Sequence, residues 1–268
     1  MAAGADTALV VVATAAAGDP AAIATGSNST ITRAGGLPHV LLLSGLLSDE
    51  TVWDDVAQRL AGVAHVQIVC FPSMPSIVAM ADAVERVAPP RCALAGHSMG
   101  GRVALEVWRR QPQRVSALCL ACSGVHPATE QEPAHRGRLV QLARDRGMAA
   151  LAAQWLPPLM GTTPPSRPGV LPRLETMVER QTAESFAAQT SAMLNRPDAR
   201  PVLPSIQVPA LVLCGRHDAG SPVAQQEAMC RAIGGATLTI IEDAGHMAPI
   251  EQPDPVAGAL RQWLAAAD

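Results

Sequence analysis

The sequence contains no lysine and no tyrosine. These two absences exclude a lysine Schiff base, a P-loop lysine on phosphate and a Ser-Tyr-Lys proton relay, because each needs a side chain that the chain does not carry. There is no excess of positive charge. A net charge of -3 gives no electrostatic reason to expect nucleic acid or an anionic membrane as partner, and a neutral small molecule fits better. No run approaches the roughly eighteen consecutive apolar residues of a membrane span. The apolar run from Ala8 to Ala17 is preceded by no basic residue, so no signal peptide is expected and the expected location is the cytoplasm. Neither H-E-x-x-H nor G-x-G-x-x-G occurs, so no metal and no cofactor are expected.

The 268 residues suffice for one large domain that buries roughly 75% of its unfolded surface. Hydrophobic residues make up 49% and charged residues 16%, the balance of a globular domain. All 20 basic residues are arginine, and with abundant alanine this is the composition of a GC-rich bacterial genome. Of the six cysteines, Cys119 and Cys122 form a C-x-x-C. Leu120 and Ala121 continue a strand between them, whereas a redox pair needs a helix start to lower its thiol pKa, so the pair reads as buried core thiols.

From His39 onward, apolar runs alternate with helical patterns. Val40 to Ser44, Val63 to Phe71, Cys92 to Ala95, Val115 to Ala121, Ala210 to Cys214 and Ala236 to Ile241 read as strands covered on both faces. Trp53, Val56, Ala57 and Leu60 repeat at helical spacing after a cap at Ser48 or Thr51, and Ile77, Met80, Ala81 and Val84 after Ser76. Ser221 before Pro222 reads as another helix start, and Val256, Leu260, Trp263 and Leu264 as the apolar face of a closing helix. This predicts an α/β fold with a mostly parallel, doubly wound sheet. Residues 37–124 and 206–268 form its core, and the proline-rich, helix-patterned stretch 125–205 is an insert. Residues 1–36 are either a peripheral hairpin, from Thr7 to Ala13 and Ser29 to Arg33, or partly disordered.

Chemistry concentrates at Gly96-His97-Ser98-Met99-Gly100-Gly101, a G-x-S-x-G that follows an apolar strand and opens a helix. Glycines flank the serine because a sharp strand-to-helix turn leaves no room for a β-carbon. The helix start behind it presents backbone N–H groups to a developing oxyanion. Gly215-Arg216-His217-Asp218 places a carboxylate past the end of a later strand, where α/β sheets build their sites. Asp243-Ala244-Gly245-His246 places a histidine before the last helix. A serine hydroxyl becomes a good nucleophile when an imidazole accepts its proton and a carboxylate fixes the imidazole's tautomer. Ser98, His246 and Asp218 are the best candidates for these roles. His97 competes as base, but its place on the tight turn directs its ring away, and His217 is discounted likewise. Asp243 competes as acid.

The order serine, acid, histidine, with L-L-L-S-G-L-L at Leu41 to Leu47, G-H-S-M-G-G, G-R-H-D and D-A-G-H, resembles the α/β-hydrolase family from about Leu37 to the C-terminus. The resemblance implies that Asp218, rather than Asp243, is the acid. It also implies backbone oxyanion donors at Leu46 and Met99, and an insert folded as a helical lid over the serine. Relatives often have His-Gly where this chain has Ser44-Gly45, which bears on loop support rather than on a backbone donor. The implied activity is hydrolysis of a small to medium apolar carboxylic ester through an acyl-enzyme. The same motifs are compatible with a lactone, a thioester or a C–C bond, and with a non-catalytic binding homologue. Trp155, Leu159 and Met160 in the insert, together with His126 past a strand end, are the candidate substrate contacts. Arg136, Arg138, Arg144 and Arg146 read as a solvated helix face.

Overall fold

The computed structural model of the chain describes residues 10–13, 36–161 and 167–267. The six apolar runs become β2 (His39–Leu43), β3 (His65–Cys70), β4 (Cys92–His97), β5 (Val115–Ala121), β6 (Ala210–Gly215) and β7 (Thr237–Ile241), all parallel in one sheet. A further strand, β1 (Val10–Ala13), pairs antiparallel with β3 at the edge, giving the order β1-β3-β2-β4-β5-β6-β7. Ser29 to Arg33, the other arm of the hairpin suggested for the N-terminal segment, lies outside the described residues.

Helices follow the strands: α1 (Asp54–Arg59), α2 (Ile77–Val87) and α3 (Met99–Arg110) in the first half, α7 (Val223–Ala232), α8 (Ala248–Glu251) and α9 (Pro253–Ala265) in the second. Successive strand residues point to opposite faces. Val40 and Leu42 pack with Val56 and with Leu260 and Trp263 of α9, whereas Leu41 and Leu43 pack with Met80 of α2 and Val103 of α3. The parallel strands therefore contribute to two cores, and this is why their sequences read as continuous apolar runs rather than alternating ones.

The Ser76 hydroxyl accepts the Val78 and Ala79 N–H groups and starts α2 as expected. Two other starts differ. Asp49, rather than Ser48 or Thr51, caps the turn leading to α1, its Oδ1 accepting the Thr51 N–H at 2.9 Å. Helix α7 begins at Val223 with Pro222 as its cap, because Ser221 is drawn elsewhere: its N–H bonds Asp218 and its hydroxyl donates to the Cys122 carbonyl.

Between β5 and β6 the chain leaves the sheet for α4 (Glu132–Trp155), α5 (Val170–Glu179) and α6 (Ala183–Leu194). Helix α4 is broken at Gly147, whose φ of 82° belongs to the left-handed region where glycine meets no β-carbon penalty. Arg167 and Arg173 hold Asp55 at 2.9 and 2.6 Å, and Arg180 holds Asp49 at 2.6 Å, fastening α5 and the segment before it to the α1 side of the core. Arg138, Arg144 and Arg146 are exposed on α4. Cys119 and Cys122 are buried free thiols whose pKa values burial raises. No described helix is long and apolar enough to cross a membrane.

Candidate active site

Ser98 stands between the last residue of β4 and the first of α3 with φ 53° and ψ -113°, a backbone conformation that costs free energy and that the surroundings must enforce. The flanking glycines make the turn sterically feasible. A β-carbon on Gly96 would lie 2.3 Å from the Gly100 carbonyl oxygen, and one on Gly100 would lie 2.2 Å from that of Leu43. Ser123, past the end of β5, donates its hydroxyl to the Ser98 carbonyl at 2.8 Å and secures the turn from the neighbouring strand.

The loops after β6 and β7 converge on this serine. His246 Nε2 lies 2.9 Å from Ser98 Oγ, and His246 Nδ1 lies 2.9 and 3.0 Å from the two carboxylate oxygens of Asp218. An ionised carboxylate only accepts, so Nδ1 carries the proton and Nε2 is left to accept the serine's. Asp218 is nearly buried at 3% exposure, and its Oδ1 also accepts the Gly220 and Ser221 N–H groups at 2.9 and 2.8 Å. Burial raises its pKa. The hydrogen bond and charge of His246 and the two backbone donors outweigh that and hold it below the ordinary carboxylate value.

The other candidates are placed differently. His97 is buried with Nε2 2.8 Å from the His246 backbone carbonyl, to which it donates. Desolvation pulls its pKa down to about 4, and the nearby His246 adds to the effect. It is therefore a neutral strut beneath the His246 loop. Asp243 and His217 are exposed. Glu251, a buried carboxylate in α8, accepts the Gly245 and Met247 N–H groups on Oε1 and the Gly161 N–H on Oε2, bracketing His246 from both sides. The Leu159 carbonyl accepts the His246 N–H at 2.7 Å.

The loop after β2 is supported by the insert. Leu47, at φ 54°, donates its N–H to Gln189 Oε1 at 2.8 Å, and Gln189 Nε2 donates to the Phe71 carbonyl at 2.7 Å. Ser44 donates its hydroxyl to the Asp49 carbonyl at 3.3 Å. Leu46 follows Gly45, which packs on His97, while Met99 is the first residue of α3, where an N–H has no acceptor within the helix.

Ser98 and His246 open into a cavity of about 470 Å³, which Leu46, Trp155, Leu159 and His126 also line. Met160 does not line it. Its side chain is buried in the core beneath the His246 loop, and Leu139 and Met193 stand in the cavity wall instead. Arg136, read from sequence as part of a solvated face, lines the cavity and pairs with Glu132 at 3.1 Å. Sequence reasoning missed Ser123, Gln189, Glu251 and Arg102. Their roles depend on partners in other elements, and only Glu251, five residues after the histidine, carried a local hint. Among the described residues no group of three His, Cys, Asp or Glu side chains is arranged to hold a metal ion.

A family model described as alpha/beta hydrolase family matches residues 40–259. The chain is 28% identical over 240 residues to a pimeloyl-[acyl-carrier protein] methyl ester esterase of Neisseria meningitidis serogroup A, covering 84% of this chain and 76% of that protein. A solved thermophilic esterase from Thermogutta terrifontis superposes with a TM-score of 0.81 at 29% identity, covering 97% of this chain and 93% of that one. The enol-lactonase from Burkholderia xenovorans LB400 superposes with a TM-score of 0.77 at 26% identity, covering 87% and 93%.

Proposed function

The chain belongs to the alpha/beta hydrolase family, and from that premise we propose that it hydrolyses a carboxylic ester of a small to medium, largely apolar substrate through an acyl-enzyme on Ser98. The observation that carries this reading is the unbroken hydrogen-bonded chain from Ser98 Oγ through both ring nitrogens of His246 to Asp218. That the relatives above are esterases and a lactonase by name supports the bond type.

The mechanism follows from the tautomer. As Ser98 Oγ bonds to the substrate carbonyl carbon, His246 Nε2 takes its proton and Asp218 stabilises the imidazolium. The carbonyl oxygen becomes an oxyanion, which the backbone N–H groups of Leu46 and Met99 receive. Each such donor contributes on the order of 10²–10³ in rate. When the tetrahedral centre collapses, the C–O bond to the alcohol breaks and the imidazolium proton passes to the leaving oxygen. Water, deprotonated by His246, then releases the acid by the same route. We assign residues 125–205 as a lid whose Trp155 and Leu159 side chains hold the apolar part of the substrate.

The test is turnover of a short p-nitrophenyl ester together with labelling by a fluorophosphonate. Wild type should do both and Ser98→Ala neither; equal turnover by the two proteins removes the reading. A lactone is an internal ester and is opened by the same steps. The likeness to the enol-lactonase makes it the second reading.

A further inference from the structure

Arg102 lies one turn into α3, the helix that begins immediately after Ser98. Helical side chains lean toward the N-terminus of their helix, so this guanidinium is carried back toward the serine rather than away from it. It lines the same cavity as Ser98 and is only 9% exposed. Its Nη1 donates to the His126 carbonyl at 3.0 Å. Among the described residues no carboxylate pairs with it, and its Nε and Nη2 edge has no acceptor. That edge is the face by which arginine grips a carboxylate through two parallel N–H bonds.

The neighbouring cations are already satisfied. Arg196, 8% exposed, takes both oxygens of Glu132 at 2.8 and 2.5 Å as well as the carbonyls of Met193, His126 and Pro127. Arg136 takes Glu132 too, at 3.1 Å. Arg196 and Arg136 therefore take the Glu132 carboxylate between them and Arg200 takes that of Asp198, so Arg102 is the guanidinium left without a carboxylate bond. Burial pulls its pKa down to about 9, with Arg196 adding to the effect, and it remains a cation at neutral pH. Glu132 and Asp198 act on it through space but bond other arginines, so a carboxylate in direct contact with Arg102 has to come from outside the chain. The absence of a side chain at Gly124 keeps this edge clear, because a β-carbon there would crowd Arg102 Nη2 at 3.0 Å.

We propose that Arg102 binds a carboxylate of the substrate, so that the esters cleaved at Ser98 carry a free carboxylate a few carbon atoms from the ester bond. The apolar stem between the two groups lies along Trp155, Leu159 and Met193. This rests on Ser98 being the nucleophile and narrows the substrate from apolar esters in general to those with one acidic end.

The test compares kcat/KM for matched pairs. One pair is the monomethyl ester of adipate and its neutral counterpart in which an isopropyl group stands in for the carboxylate. The other places the carboxylate on the alcohol side, as the acetyl ester of a terminal hydroxy acid and its neutral counterpart. In at least one pair the wild type should prefer the acidic ester by about tenfold or more, the size of a charge-assisted bond. Arg102→Met, which keeps the length of the stem, should reduce that ratio to near one. Free glutarate or adipate should also inhibit p-nitrophenyl acetate turnover by the wild type at concentrations where pentanoate and hexanoate do not, a readout that needs no variant. No preference in either pair, or a preference that Arg102→Met leaves intact, overturns the proposal. Neutral-ester turnover and fluorophosphonate labelling without acidic preference would defeat only this inference, whereas absence of both would defeat the serine-hydrolase reading beneath it.

Discussion

Gln189 and Leu47 are 142 residues apart and share a buried hydrogen bond of 2.8 Å, from the Leu47 N–H to the Gln189 side-chain oxygen. The same amide donates to the Phe71 carbonyl. One side chain from α6 thereby ties together the loops that follow β2 and β3. The helical insert is thus built into the loop that carries Leu46, and does not merely cover it.

Gln189→Leu should leave the Leu47 N–H and the Phe71 carbonyl buried and unpaired. We expect a loss of stability of about 1–3 kcal/mol for each orphaned group, with a fall in kcat that exceeds any rise in KM. Urea denaturation and steady-state kinetics on a neutral ester check both. An unchanged kcat in a folded variant would show that the loop holds its shape without this contact.

Asp218→Asn should preserve the packing and reverse the chemistry. A carboxamide that presents N–H₂ to His246 Nδ1 forces the proton onto Nε2, which then cannot accept from Ser98. The expected loss in kcat is on the order of ten-thousandfold, with circular dichroism unchanged. A loss of only a few-fold would show that Asp218 does not set the tautomer.

His97 predicts a pH dependence of stability. Its folded pKa of about 4 lies below its ordinary 6.5, so between those values the unfolded chain binds a proton that the folded one refuses. Stability should therefore fall as pH drops from 6.5 toward 4, by about 3 kcal/mol in all, and this contribution should be flat above 6.5. Glu132 and Asp218, both held below their ordinary values, act with the same sign at lower pH. Glu251, raised by burial despite its three N–H donors, acts with the opposite sign just above the ordinary carboxylate range. His97→Gln keeps a donor for the His246 carbonyl and removes the titration. Its denaturation midpoints at neutral pH and near pH 4.5 should differ less than those of the wild type.

Glu251→Gln should loosen the His246 loop. The carboxylate offers acceptors to three N–H groups, and an amide turns one of its two ends into a donor that faces another donor. We expect a lower Tm, a cost of about 1–3 kcal/mol and a reduced kcat. Calorimetry and kinetics on the same preparation check this, and a variant with wild-type Tm would show that the loop finds other partners.

The parallel sheet was legible from the sequence because strands covered on both faces must be apolar at nearly every position, as in Leu41-Leu42-Leu43. Ser98 was legible because a strained turn between strand and helix demands glycine on either side of it. Local caps were less so. Ser221 has the residue type and the following proline of a helix start, yet a carboxylate three residues earlier takes its N–H instead. Met160 has the character of a pocket residue, but the chain turns it into the core.

By itself, the sequence determined the order of the elements and which side chains had the chemistry to act, since periodicity, glycine placement and residue type are local properties. Only the tertiary structure decided how far apart those side chains stand, that Gln189 and Glu251 hold the loops around them, and that Arg102 lacks the direct carboxylate bond its neighbour Arg196 makes. The physical reason is that hydrogen bonding and charge pairing are settled between groups distant along the chain, where no spacing rule reaches.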